Sequence, residues 1–316
     1  MIAVAVVLGA GAPLTMAGDT VAVVPRPREA SWFELPDTLP PRAPWPLPTT
    51  PPPPPSVAAP GETIRGLVYR RPAAGPVVAL TFDDGYSVTT LRELLAVAAH
   101  HKIPITLFPI GNALFLAPNI YRAAAAAGVP IANHTRSHPF LTRLQARRGS
   151  EAVIAEIRGF AAVADSLQIP YVSIFRPPYG DRHRGTDLLA ARAGFPTVAT
   201  WDTSFVDTAP ACVGSIAGRI RHASRGEAGS IVLGHINTPL TPRIMAEVAA
   251  RYRARGLTLV TLPTLLTGAP ERIDWAAIAA AASLPARDGD PAVPTKVPEP
   301  YDPRDRRPPG ALLGGC

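Results

Sequence analysis

Seven short apolar runs, rich in β-branched residues, recur along the middle of the chain, and stretches with helical periodicity separate them. The runs cover residues 77–82, 105–110, 129–133, 172–175, 197–201, 230–235 and 257–261. Strands this uniformly apolar need cover on both faces, which a parallel sheet flanked by helices supplies. Seven β–α alternations with right-handed crossovers predict an α/β fold that closes, or nearly closes, into a barrel; an open doubly wound sheet is the competing arrangement. The intervening helices have readable ends. Thr90 is placed to cap a helix over 91–101, Ser150 one over 151–167, and Gly194 to close a helix beginning near Thr186. Thr241 with Pro242 opens the last helix of the core and Gly256 ends it.

Proline sets the limits of this region. The chain has 39 prolines in 316 residues, too many for one globular domain, and they cluster. Between Pro36 and Pro60 about every second residue is proline, with Pro51 to Pro55 unbroken. Such a run lacks backbone donors and has fixed φ, so it makes a polyproline-II spacer and not a core. The reading is therefore a signal peptide over 1–17, a Pro-rich linker over 18–63, one folded domain over 64–282, and a disordered, charged, Pro-rich tail over 283–316. The apolar start is too short and too broken by Gly and Pro for a membrane span, so no span is expected after processing, and export to the cell envelope or medium is. The two cysteines, Cys212 and Cys316, form no CxxC pair, which excludes a thiolate zinc site. The net charge of +7 is dispersed, and no nucleic-acid motif accompanies it.

Polar residues gather where strands stop. Asp83 and Asp84 follow the first run, His134 the third, Arg176 the fourth, Asp202 and Asp207 the fifth, and His235 ends the sixth. In a parallel barrel all these ends share one face, so the groups are expected at a single mouth. The two adjacent aspartates point to different sides of an extended chain and can take different tasks. His134 and His138 have the four-residue spacing of paired metal ligands, but Pro139 disfavours a helix there, which puts them on a turn. With Asp84 they make a His/His/Asp set that leaves coordination positions for water and substrate.

At this point the chain resembles the polysaccharide deacetylases related to the nodulation chitooligosaccharide deacetylase, carbohydrate esterase family 4. The resemblance runs over about residues 77–266 and rests on 81–85 (TFDDG), 134–138 (HTRSH), 176–180 (RPPYG) and 233–235 (LGH), in that order. It implies a distorted (β/α)7 barrel and a monomeric hydrolase that removes acetyl groups from the N-acetylated sugars of a cell-wall polysaccharide, with peptidoglycan foremost. It implies a divalent metal, zinc or else cobalt or nickel, on Asp84, His134 and His138. It makes Asp83 the base for the hydrolytic water, oriented by Arg176, and His235 the acid that protonates the departing amine, supported by Asp207. The backbone N–H of Tyr179 would stabilise the oxyanion, and Leu233 would line the pocket for the acetyl methyl. O-deacetylation of a xylan-like polysaccharide, or a non-catalytic glycan-binding barrel, are the alternatives. The chain departs from the family pattern at Thr208, where a Trp is usual, at Tyr86, where Pro is usual, and at Ile236, where an acidic residue is frequent.

Overall fold

The computed structural model describes residues 66–208 and 215–300. The expected signal peptide and linker, both cysteines and the last part of the expected tail lie outside these residues.

The longest strand, β2 (Val77–Asp84), is the axis of the fold; β1 (Gly66–Val68) precedes it. Six successive residues of β2, Val78 to Asp83, are buried, as its unbroken apolar sequence requires. It pairs in parallel with β3 (Ile105–Pro109) and with β7 (Ile231–His235). β8 (Thr258–Val260) pairs with its first residues, Val77 to Ala79. β4 (Ile174–Phe175) and β1 both pair with β5 (Thr197–Ala199). β6 (Thr203–Ser204) follows β5 directly in the chain yet pairs with β7, so this stretch crosses from the three-stranded sheet to the five-stranded one. On the far side the gap is bridged by the third apolar run, where Ile131 pairs with Leu107 and Asn133 with Phe175. All of these pairings are parallel; the seam between β1 and β7 is spanned by the antiparallel Arg70–Ser230 bridge, and the fold is a distorted (β/α) barrel.

Every apolar run finds a place in this ring, with two adjustments. The run over 129–133 is not a continuous strand; it makes only isolated bridges, Ile131 with Leu107 and Asn133 with Phe175. β1 and β6 were not foreseen; at three and two residues they are too short to register as a period.

Helices cover the ring. α1 (Val88–His101) is capped by Ser87, whose hydroxyl accepts from the N–H of Thr90, so Thr90 lies inside the helix it was expected to cap. After β3 come α2 (Gly111–Leu114) and α3 (Pro118–Ala126), then α4 (Leu141–Arg148) and α5 (Ser150–Ser166). Ser150 begins α5 without capping it. α6 (Arg184–Arg192) starts two residues before Thr186 because His183 caps it, its ring accepting from the N–H of Gly185 and Thr186. α7 (Ile216–Ala223), α8 (Leu240–Ala254), α9 (Leu262–Thr267) and α10 (Trp275–Ser283) complete the coat. No helix among the described residues is long and apolar enough to cross a membrane.

Ordered contacts continue past the boundary expected at 282. Ala286 is buried, the N–H of Val293 donates to the carbonyl of Ser283, and Thr295 donates to Ser283 Oγ and the carbonyl of Ala282. A Pro-rich composition cannot form a core of its own, but it can lie along one that α10 already presents.

The seam between β1 and β7 depends on Gly229. Its carbonyl accepts from Arg71 and its N–H donates to Val77, at φ +78°. A Cβ there would lie 2.0 Å from the Arg71 carbonyl oxygen. Gly229→Ala is therefore expected to lower stability by about 2 kcal/mol or more, read as a reduced denaturation midpoint with unchanged m-value.

Candidate metal centre and its acid and base groups

β2 ends in two carboxylates with different surroundings. Asp83 is still in the ladder, opposite Phe108 on one side and His235 on the other, and is buried. Asp84 leaves the ladder with φ +80°. Thr135, His138 and Tyr179 also have left-handed backbones (φ +65°, +63° and +61°). Non-glycine residues in such conformations cost about 1–3 kcal/mol each and persist where surrounding contacts force them, which is typical of functional sites.

The contacts that force the 134–138 turn are visible. Asn133 accepts from the N–H of Thr135 at 2.8 Å and donates to the carbonyl of Ile157 at 2.9 Å. Thr135 Oγ1 accepts from the N–H of His138 at 3.0 Å. This is the turn expected from Pro139, and it folds the two imidazoles together, their Nε2 atoms 3.2 Å apart. Both face Asp84 Oδ1, at 3.7 Å from His134 and 3.3 Å from His138. His134 Nδ1 lies 2.9 Å from the carbonyl of Arg176 and donates to it, which leaves the Nε2 lone pair directed at the cluster.

Electrostatics completes the description. Burial holds His134 and His138 down to about 3, so both are neutral imidazoles, the form that ligates metal. Burial pushes Asp84 up to about 7, with Asp83 and Asp207 adding to the rise against the pull of His235. Oδ1 of Asp84 is buried and accepts no hydrogen bond. A carboxylate oxygen and two imidazole nitrogens within 4.8 Å of one another form a donor set that fits a divalent cation. Among the described residues this is the one such cluster.

Asp83 is paired with Arg176, which is fully buried. Arg176 Nη1 donates to Asp83 Oδ1 at 2.8 Å and to Thr81 Oγ1 at 2.9 Å, and its Nε to the carbonyl of Ala199 at 3.0 Å. Its guanidinium also lies over the Phe108 ring, 4.1 Å from the centroid. Burial raises the Asp83 carboxyl and the Arg176 charge opposes the rise. The other oxygen, Oδ2, stands 3.6 Å from His134 Nε2.

Across the mouth, Asp207 Oδ1 accepts from His235 Nδ1 at 2.9 Å, and Oδ2 from the His235 N–H at 2.7 Å and Thr241 Oγ1 at 2.6 Å. Burial alone would depress His235, but Asp207, then Asp84 and Asp83, overcome it and raise the imidazole to about 9. His235 is thus protonated at neutral pH. Asp207 is buried too, but His235 and these hydrogen bonds bring it below the usual carboxylate range.

Tyr179 stands beside this cluster, its ring 4.5 Å from that of His138 and stacked on Phe140 at 3.8 Å. Leu233, buried, lies two residues before His235 on β7, on the same face of the strand and opposite Thr81. All the residues singled out in the sequence are therefore at one end of the barrel, except Asp202. Asp202 accepts from Ser230 Oγ and from the N–H of Ile231, which places it at the start of β7, the opposite end from His235. The chain turns between β5 and β6, so a residue after the fifth apolar run is not yet at the mouth. His183, the cap of α6, has a structural role.

Sequence reasoning missed Asn237. Its Nδ2 donates to Asp84 Oδ2 at 2.9 Å, and its Oδ1 accepts from the N–H of Tyr86 at 2.8 Å and Gly85 at 3.2 Å. A lone Asn in a loop carries no signal by itself. Thr241 was read only as a helix opener, although its hydroxyl holds Asp207. Of the departures, Ile236 is fully buried and its N–H donates to the carbonyl of Asp83, and Thr208 is exposed.

The chain is similar to several known proteins. The family model described as polysaccharide deacetylase matches residues 70–198. A chitooligosaccharide deacetylase of Rhizobium leguminosarum bv. trifolii is 34% identical over 60% of this chain and 83% of its own length. A peptidoglycan-N-acetylglucosamine deacetylase of Bacillus cereus is 27% identical over 62% of this chain and 70% of its own. A solved family 4 carbohydrate esterase from Streptomyces lividans, in complex with acetate, is 28% identical and superposes with a TM-score of 0.51 over 59% of this chain and 92% of that one. With these matches and this fold, the chain belongs to the polysaccharide deacetylase family, carbohydrate esterase family 4.

Proposed function

We propose that the protein is a metal-dependent hydrolase that removes acetyl groups from the N-acetylated sugars of a cell-wall glycan, with peptidoglycan as the substrate. The observation that carries this reading is the company of three carboxylates at one barrel end, two buried and Asp84 largely so. Asp83 is held by a guanidinium, Asp207 by a protonated imidazole, and Asp84 by two neutral imidazoles. The first two are balanced by side-chain charge. Asp84 is the one that needs a cation, and with His134 and His138 it offers three ligands for zinc, or for cobalt or nickel in its place.

Such a cation, when bound, polarises the acyl carbonyl and lowers the pKa of water from about 15.7 toward 7. The chain's own groups divide the remaining work. Asp83 takes the proton of the attacking water, and its elevated proton affinity makes it a better base than an exposed carboxylate. Arg176 fixes its orientation through Oδ1 and leaves Oδ2 toward the cluster. The backbone N–H of Tyr179 donates to the oxyanion, and Leu233 faces the acetyl methyl. His235 gives its proton to the nitrogen as the C–N bond breaks, and Asp207 holds the imidazole charged and oriented for this. The relatives named for peptidoglycan and chitooligosaccharides support an N-acetylated glycan, and the +7 charge suits an anionic wall. In this reading the protein is exported by its apolar start and acts as a monomer. Complete acid, base and ligand sets favour an enzyme over a binding module.

The test is acetate release from peptidoglycan, chitooligosaccharides and acetylated xylan. Release from an N-acetylated glycan should stop with a chelator and return with Zn2+; release from xylan alone would make the enzyme an O-acetyl esterase. His134→Ala should lose bound metal and turnover together, whereas Asp83→Asn should keep metal and lose about 10²- to 10⁴-fold in kcat. His235→Ala should cost a similar factor on an N-acetyl sugar but far less on an aryl acetate, whose leaving group needs no proton. Equal losses on the two substrates would remove His235 from the acid role.

A further inference from the structure

We infer that Asn237 is a positioning residue that decides which oxygen of Asp84 is presented to a metal; the inference rests on the metal-site reading above. Its amide has one orientation consistent with its partners. Oδ1 accepts two backbone N–H groups, those of Gly85 and Tyr86, so the NH2 end must face Asp84. The bond of 2.9 Å from Nδ2 engages Oδ2 of that carboxylate. The other oxygen, Oδ1, is the one on which the Nε2 atoms of His134 and His138 converge. One oxygen is therefore committed to the amide and the other to the ligand set.

The same side chain holds the backbone that carries the ligand. Asp84 and Gly85 both have positive φ, +80° and +104°, so the strand turns sharply where the carboxylate must project. Two N–H groups leave the ladder at that turn, and Asn237 satisfies both. Tyr86 supplies one of them, at the position where the sequence resemblance leads one to expect a proline, which has no N–H. Asn237 lies two residues beyond His235, so a single amide links the loop bearing the metal ligand to the loop bearing the acid. Hydrogen-bonding partners of this kind to metal ligands change affinity by about 10- to 100-fold when removed.

Two variants separate the two tasks. Asn237→Ala removes the amide altogether. Asn237→Asp keeps an oxygen for the Gly85 and Tyr86 N–H groups but replaces the donor to Asp84 with a second carboxylate. The full chain, freed of metal by chelator dialysis, is titrated with Zn2+ against a chromophoric chelator, and its thermal midpoint is recorded alongside. Zn2+ affinity is expected to fall at least about tenfold in Asn237→Ala, and to fall less in Asn237→Asp, whose carboxyl keeps an acceptor for the two N–H groups and adds negative charge beside the site. Wild-type Zn2+ affinity in Asn237→Ala would overturn the role, since the donor to Asp84 would then be dispensable. A wild-type chain that takes up no Zn2+ would overturn the metal-site reading and this role with it, an outcome distinct from loss of the Asn237 effect alone.

Discussion

The buried guanidinium of Arg176 is the group on which the active end of the barrel depends. Taking a charge out of water is costly, and it is tolerated only when geometry and hydrogen bonds are nearly complete. Here they are: Asp83, Thr81 and the carbonyls of Ala199 and Thr200 surround it, and Phe108 lies beneath. These partners come from β2, β3 and the end of β5, so one side chain ties three strand ends together. Its backbone does as much. The Arg176 N–H donates to Asn133, and its carbonyl accepts from His134 Nδ1. The orientation of Asp83 and the tautomer of His134 are thus set by a single residue.

Much of this was legible in the sequence because a barrel converts position along the chain into position in space. Once the apolar runs were read as parallel strands, Asp83, Asp84, His134, Arg176 and His235 had to share one end. Asp202 shows the limit of that rule: it follows an apolar run, yet the strand order there is interrupted, and the residue falls at the other end. Period alone cannot mark where a chain leaves one sheet for another. The tail is a related case. Proline and charge argue against a core over 283–316, yet Ala286 is buried in the main core, and docking along α10 depends on a surface that composition does not describe.

What the sequence did not contain was the supporting layer. Asn133, Asn237 and Thr241 are ordinary turn and cap residues by type, and each acquires its role from a partner far away in the chain or across a turn. Asn237 and Asp84 are separated by 153 positions. The departures from the family pattern are legible only in the same three-dimensional terms. Ile236 is apolar because its side chain is in the main core, and the N–H of Tyr86 has an acceptor waiting.

In the proposed mechanism the arrangement lets one end of the barrel keep a base and an acid ready at the same pH. Hydrolysis of an amide needs an unprotonated base and a protonated acid together, and two groups in one field tend to titrate against each other. Here each is locked to a partner of fixed charge. Asp83 leans on a guanidinium that cannot lose its proton, and His235 on a carboxylate kept ionised by three donors. Asp84 lies between them, raised by burial and by both neighbouring carboxylates. Burial still raises the Asp83 carboxyl and Arg176 opposes that rise, while Asp207 raises the His235 imidazole to about 9. Asp83, Asp84 and His235 are ionisable groups at one end of the barrel, and in the proposed mechanism their separate pairings are what would allow them to act in a single turnover.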